Sequence, residues 1–169
     1  MAILADKNTK VLVQGITGTQ ASFHVRRSID YGTQIVAGVT PGKGGMFHLG
    51  VPVFDTVKEA VAETGAEASI VFVPARAVKS AVSEAAKAGI KLVVCISDNV
   101  PVRDMLEIRN ILKGTNTRLI GPNTPGMITP EEARLGTFPE NIHNRGNIGI
   151  VSRSSTLTYE AVLETRRAG

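Results

Sequence analysis

A short turn of glycines and hydroxyl-bearing residues follows the first apolar segment of the chain. It reads Gly15-Ile16-Thr17-Gly18-Thr19-Gln20 and runs into a stretch with helical periodicity. Glycines let the backbone approach an anion closely, and the unpaired N–H groups at the start of the next helix point toward it. The spacing is Gly-x-x-Gly-x-x-Ala rather than Gly-x-Gly-x-x-Gly, so a tight turn without a ligand explains it equally well. The turn is therefore a candidate phosphate site whose assignment depends on the neighbouring loops.

A lysine lies among glycines after the second apolar segment, in Thr40-Pro41-Gly42-Lys43-Gly44-Gly45. A NAD-binding domain places an acidic residue in this region, where it binds the ribose hydroxyls. The cation argues against plain NAD and favours a nucleotide with an extra phosphate, such as coenzyme A or NADP. The alternative is a mobile, solvated loop.

The remaining polar candidates have simpler structural explanations. Ser97 and Asp98 precede Pro101 and can cap the helix that this proline starts. His24 is expected to pack or lie on the surface, His48 lies beside the lysine loop and is a candidate ligand contact, and His143 is expected to be solvated. The histidines are too far apart in sequence to show a recognisable metal-ligand spacing, so we predict no metal site.

Alternating strand-like and helix-like segments must position these loops. The strand-like segments are 11–13, 35–39, 69–73, 92–96, 118–120 and 147–151, and the helix-like segments are 20–31, 56–64, 75–88, 101–113 and 156–167. This alternation predicts an α/β fold with a Rossmann-like, doubly wound parallel sheet. Residues 1–122 are expected to form that domain, the proline- and glycine-rich residues 123–146 an extended linker or a meandering cover, and residues 147–169 the first strand and helix of an incomplete second domain.

Composition restricts the class of protein. The chain of 169 residues is 43% hydrophobic, and none of its apolar runs approaches the roughly 20 residues that cross a bilayer. We expect a soluble, cytoplasmic protein. The net charge of +4 suits a small polyanionic ligand, whereas scattered cations and only 4% aromatic residues argue against nucleic-acid binding. Cys95 lies in an apolar run and is expected to be buried.

Four motifs in register carry a resemblance to a known family. They are Val13-Gln14-Gly15-Ile16-Thr17-Gly18-Thr19-Gln20, Gly38-Val39-Thr40-Pro41-Gly42-Lys43-Gly44-Gly45, Gly121-Pro122-Asn123-Thr124-Pro125-Gly126 and the segment from Gly149 to Glu160. Together they resemble the α subunit of succinyl-CoA synthetase, also named succinate–CoA ligase. The match runs in order along essentially the whole chain.

The resemblance implies specific contacts. The CoA-contacting turn of the family corresponds to Thr17, Gly18, Thr19 and Gln20, its loop lysine to Lys43, and its segment after the fourth strand to Ile96, Ser97 and Asp98. The family's loop near the acyl substrate corresponds to Ser154, Ser155 and Thr156 within Ser152–Thr156, followed by Tyr159.

The resemblance also implies a reaction and a partner. In the family, a nucleotide phosphorylates a histidine, succinate takes the phosphoryl group, and CoA displaces phosphate, which splits one hard step into easier ones. A β subunit supplies the site for the nucleoside triphosphate and Mg²⁺. None of His24, His48 and His143 stands in the motif of the phosphorylated histidine. We therefore expect no catalytic residue in this chain and no ligase activity from it alone.

The end of the chain and two departures from the family pattern leave alternatives open. Because only one strand and one helix follow residue 146, we expect either a piece of a longer protein or a chain without the catalytic half, with its C-terminal segment poorly anchored. Thr124 replaces a cysteine of the family, and the turn is expected to tolerate it. Ser155 replaces a glycine and adds a side chain near the substrate, so malate and citrate are alternative acyl substrates. A stand-alone CoA-responsive module without ligase activity is the main alternative function, and an NADP-dependent oxidoreductase is a weaker one.

Overall fold

The computed structural model describes residues 2–168. Five α-helices alternate with strands among these residues. The strands are β1 (Val11–Gln14), β2 (Ile35–Val39), β3 (Phe47–His48), β4 (Val51–Phe54), β5 (Ala68–Val71), β6 (Leu92–Cys95), β7 (Arg118–Ile120), β8 (Gly126–Thr129) and β9 (Ala133–Gly136). The helices are α1 (Thr19–Asp30), α2 (Val57–Thr64), α3 (Ala75–Lys87), α4 (Val102–Leu112) and α5 (Ser155–Arg167).

The main sheet is doubly wound. Its strand order is β3-β4-β2-β1-β5-β6-β7, and all neighbouring pairs are parallel except β3 with β4. After β1 the chain builds outward through β2 and β4, then returns to place β5 on the other side of β1. The strand order therefore reverses between β1 and β5, which is where ligands bind in folds of this class. The predicted Rossmann-like α/β fold is confirmed.

Apolar side chains on alternate strand positions form two cores, one on each face of the sheet. Leu12 packs with the core that includes Val93 and the inner faces of α2 and α3, whereas Val11 and Val13 pack with the core on the α1 side. Strands that are buried on both faces are expected to be continuous apolar runs, and β1, β5 and β6 are buried at all of their positions. Each face therefore needs its own covering layer.

Residues 123–146, which we expected to be an extended linker or a meandering cover, contain a β-hairpin. Strands β8 and β9 pair in antiparallel register from Gly126 opposite Gly136 to Thr129 opposite Ala133. Both glycines have positive φ, +102° and +130°, and a Cβ on either would collide with the backbone of the opposite segment. The same glycines that indicated a loop thus allow two backbones to meet closely.

The hairpin covers the α1 side of the sheet, and a buried arginine joins it to α1. Arg134 is inaccessible to solvent. Its side chain donates to the carbonyl oxygens of Phe138, at 2.6 Å, and His24, at 3.0 Å, and to Ser28 Oγ at 3.1 Å. Burial lowers the pKa of Arg134, while the nearby Glu140 carboxylate opposes that shift.

One further expectation about secondary structure was wrong, and one short hairpin was not predicted. Residues 147–151 form no strand, because no neighbouring strand pairs with them in residues 2–168. The short hairpin of β3 and β4 was not predicted, since Pro52 and the surrounding glycines read as loop residues. Helix α5 forms as expected and packs against the segment around Glu140–Ile142, where Arg166 donates to the Asn141 carbonyl oxygen at 2.9 Å.

Among residues 2–168, no helix is long and apolar enough to cross a membrane. Cys95 is fully buried at the end of β6, as expected, and burial raises the pKa of its thiol to about 11. The thiol is therefore protonated at neutral pH and unsuited to nucleophilic chemistry.

Candidate functional site

The turn after β1 leaves the N-terminus of α1 open. Gly15 has φ of +82° and donates its N–H to the Val39 carbonyl oxygen at 2.8 Å, and Gly18 donates to the Gly15 carbonyl oxygen at 3.0 Å. Gly18 is also the N-cap residue and has no side chain to bond the helix, and no acidic residue occupies the first turn. The first N–H groups of α1 are therefore free to bind an anion at the positive end of the helix dipole.

Lys43 reaches this turn from the loop after β2. Its Nζ donates to Thr17 Oγ1 at 3.1 Å. The lysine is exposed, so its ammonium group is accessible to a ligand. A cation beside uncapped helix N–H groups suits a phosphate, because both contribute positive charge to one place.

Asp55 holds the shape of the loop that carries Lys43 (residues 40–45), and the sequence did not point to this residue. Its Oδ1 accepts hydrogen bonds from the backbone N–H groups of Lys43, at 3.0 Å, and Gly44, at 2.9 Å. Gly44 has no room for a Cβ, which would come within 2.7 Å of Asp55 Oδ2. The loop is therefore held in a defined turn, and no local sequence signal connects Asp55 to it.

A cavity of about 590 Å³ lies at the carboxyl ends of β1, β2 and β5, next to this turn. Its lining is mainly apolar, with polar groups near the start of α1 and on α3. The residues that line it are Gln14, Gly15, 17–21, 39–41, 72–74, Ala77, Ser80, Ala81 and Glu84. The structure thus brings Thr17, Gly18, Thr19 and Gln20 together in one cavity, with Lys43 bonded to its rim.

The predicted CoA segment after β6 borders the cavity without lining it. Ser97 Oγ donates to the Val73 carbonyl oxygen, and Val73 lines the cavity. Ile96 is half-buried, and Asp98 is exposed in the loop before α4. These three residues therefore lie beside the site, at the end of β6.

The predicted acyl-substrate residues do not join the cavity. Ser154 caps α5, where its Oγ accepts from the Leu157 N–H at 3.4 Å, and Ser155 and Thr156 form the first turn of that helix. The Tyr159 ring packs edge-on against Phe138, with centroids 5.7 Å apart. None of these four residues lines the cavity.

The histidines occupy three different environments. His48 Nε2 lies 2.7 Å from Ser22 Oγ, which links the segment after the lysine loop to the first turns of α1. Burial, with the charges of Arg134 and Arg27, lowers the pKa of His24. His143 is half-buried rather than solvated as expected, and burial lowers its pKa although its Nδ1 lies 2.8 Å from the Pro139 carbonyl oxygen. No group of three potential metal ligands occurs within the described part of the chain.

Comparisons with known proteins point to one family. The model of the CoA binding domain family matches residues 6–99. The α subunit of succinate–CoA ligase (ADP-forming) from Aquifex aeolicus is 58% identical over the whole chain, and that from Staphylococcus epidermidis is 54% identical. The chain spans about half the length of these relatives, 56% in each case.

Solved structures share the fold. A structure of ATP citrate lyase from Methanothrix soehngenii in complex with citrate and coenzyme A matches 98% of this chain and 30% of its own, with 26% identity and a TM-score of 0.84. A dinucleotide-forming acetyl-coenzyme A synthetase from Ca. Korarchaeum cryptofilum matches 94% of this chain and 35% of its own, with 20% identity and a TM-score of 0.77. The second likeness concerns the fold alone.

Proposed function

Since this chain belongs to the CoA binding domain family, we propose that it is the coenzyme A-binding portion of the α subunit of a succinate–CoA ligase. The observation that carries the proposal is the cavity at the strand-order reversal, which meets the uncapped N-terminus of α1 and Lys43 at one end. The two relatives named above, at 58% and 54% identity, support the ligase assignment. The likeness to a lyase structure that contains coenzyme A supports the ligand.

In this proposal, the chain's own residues bind and orient CoA. The N–H groups of Thr19 and Gln20 and the Thr17 hydroxyl receive a phosphate at the start of α1, and Lys43 supplies its countercharge. Gly18 keeps the approach to the helix free of side-chain atoms. Ile96, Ser97 and Asp98, which border the cavity at the end of β6, contact the ligand where it leaves the cavity.

The same proposal extends to the activity and the assembly of the complete enzyme. The complete enzyme forms succinyl-CoA from succinate, CoA and a nucleoside triphosphate, and a β subunit holds that nucleotide and Mg²⁺. In the complete enzyme, Ser154, Ser155, Thr156 and Tyr159 approach the acyl substrate. We propose a cytoplasmic enzyme, and we expect this chain alone to be inactive because it carries no histidine in the phosphorylated motif.

Isothermal titration of the purified chain with CoA, dephospho-CoA and NADP, at two salt concentrations, tests the binding function. We expect micromolar CoA binding that weakens at higher salt and weakens when the 3′-phosphate is absent, because Lys43 and the α1 terminus bind anionic groups. Absence of CoA binding at both salt concentrations would overturn the proposal. Stronger binding of NADP than of CoA would favour the oxidoreductase alternative.

Lys43→Ala removes the cation of the site, and we expect it to weaken CoA binding roughly tenfold, in line with a lost charge-assisted hydrogen bond. Lys58→Ala is the matched control, because Lys58 is also exposed but lies on α2 and does not line the cavity. Equal losses in both variants would show a general effect of net charge and contradict the role of Lys43.

A further inference from the structure

The cavity has two chemically different ends. The uncapped N-terminus of α1 and the Thr17 hydroxyl form the first end. The lining then continues along α3 from Ala77 through Ala81 to Glu84. At 1.5 Å per helical residue, Ala77 and Glu84 are separated by about 10 Å along the helix axis. A ligand that fills this space carries an anionic group at the first end and a planar, largely apolar group along α3, as a nucleotide does.

Glu84 supplies a carboxylate to the α3 end of the cavity. Its Oε1 accepts a hydrogen bond from the backbone N–H of Val57 at 2.7 Å, which fixes the side chain against the start of α2. Its Oε2 forms no hydrogen bond or ion pair to any residue in the range 2–168. An ionised carboxylate only accepts hydrogen bonds, so this oxygen is suited to a ligand group that donates one.

We propose that Glu84 is a specificity-determining residue that accepts a hydrogen bond from the exocyclic amino group of adenine. The inference rests on the proposed function and deepens it, because it assigns the base of the nucleotide to the α3 end of the cavity. The apolar side chains of Ala77 and Ala81 lie between Glu84 and the turn and suit the faces of a planar ring. The ribose adjoins the phosphates and therefore lies nearer the turn, which leaves the base as the group that reaches Glu84.

Titration with three nucleotide probes tests this assignment on the intact chain. The probes are adenosine 3′,5′-bisphosphate, purine riboside 3′,5′-bisphosphate, which lacks the amino group, and 2′-deoxyadenosine 3′,5′-bisphosphate. We expect removal of the amino group to weaken binding roughly 10- to 100-fold, the range for a hydrogen bond to a charged group. Removal of the 2′-hydroxyl is expected to change binding by less than about threefold, since that group lies away from Glu84.

Substitutions at Glu84 test whether this residue causes the preference. Glu84→Ala is expected to bring the adenosine-to-purine affinity ratio close to one. Glu84→Gln keeps an oxygen that can accept from Val57 but replaces Oε2 with an amide NH2 group that only donates, so it is also expected to bring the ratio close to one. Each ratio is measured within one variant, so a general loss of folded protein cancels. Glu63→Gln on α2 is the matched control, since Glu63 is exposed and does not line the cavity.

The possible results separate the inference from the function on which it rests. Equal affinity of the unsubstituted chain for the adenosine and purine probes, with CoA binding intact, would overturn the role of Glu84 and leave the proposed function standing. A large loss with the deoxy probe alone would assign the carboxylate to the ribose and also overturn the inference. Failure of CoA and all three probes to bind would overturn both proposals.

Discussion

At the scale of single residues, Asp55 decides how the lysine loop presents its cation. Its carboxylate accepts from the N–H groups of Lys43 and Gly44 although Asp55 does not line the cavity. We expect Asp55→Ala to weaken CoA binding about three- to tenfold by loosening the loop, and Asp55→Asn to weaken it less because one acceptor oxygen remains. Titration calorimetry measures both effects. Unchanged affinity in Asp55→Ala would show that the loop holds its shape without the carboxylate.

Two histidines make stability depend on pH. Burial lowers the pKa of His24 and of His143 below the usual 6.5, so the unfolded chain binds protons at these positions more readily than the folded one. Stability contributed by the neutral rings is therefore present above about pH 6.5 and is lost as pH falls through the interval down to the folded-state pKa values. We expect the melting temperature to fall across this interval, and to fall less in a His24→Asn, His143→Asn variant. Circular dichroism measures the melting temperature at each pH. An equal dependence of the melting temperature on pH in the two proteins would contradict this cause.

At the scale of secondary-structure elements, the β8–β9 hairpin depends on close contact at its open end. Gly136→Ala places a Cβ against the Pro125 carbonyl oxygen and 2.9 Å from Ile96 Cδ1, in a residue with φ of +130°. We expect a loss of about 2 kcal/mol in the free energy of unfolding, from strain and displaced backbone. Gly149→Ala is the control, because nothing lies within 4 Å of its added Cβ. Urea denaturation of the two variants checks the difference, and equal midpoints would refute it.

The elements that could be predicted from the sequence are those whose pairing or capping follows a regular pattern along the chain. Continuous apolar runs such as 92–96 become buried parallel strands, and the local pattern of Thr56 followed by Glu59 forms a capping box at the start of α2. Strand formation at 147–151 failed as a prediction because an apolar run becomes a strand only where a neighbour pairs with it. The loops around Lys43 could be located because parallel strands end at one edge. Glu84 could not, since its position on α3 looks like any polar position on a helix.

At the scale of the whole molecule, ligand binding should couple to unfolding. CoA at 100 times its dissociation constant stabilises a folded state that alone binds it by about 2.7 kcal/mol. For a chain of this size, that corresponds to an increase in melting temperature of roughly 5–10 °C. Scanning calorimetry with and without CoA measures the shift, which Lys43→Ala is expected to reduce. A melting temperature that does not respond to saturating CoA would show that CoA does not bind the folded chain in preference to the unfolded one.

The short antiparallel strand at one margin of the sheet has a consequence for self-association. Strand β3 forms this margin of the sheet and has only two residues. An incoming strand from another copy therefore finds little continuous backbone to extend at this margin. The edge of the sheet on the side of the Lys43 loop is therefore short. A short edge protects the molecule there from edge-to-edge aggregation and leaves that loop open to small ligands.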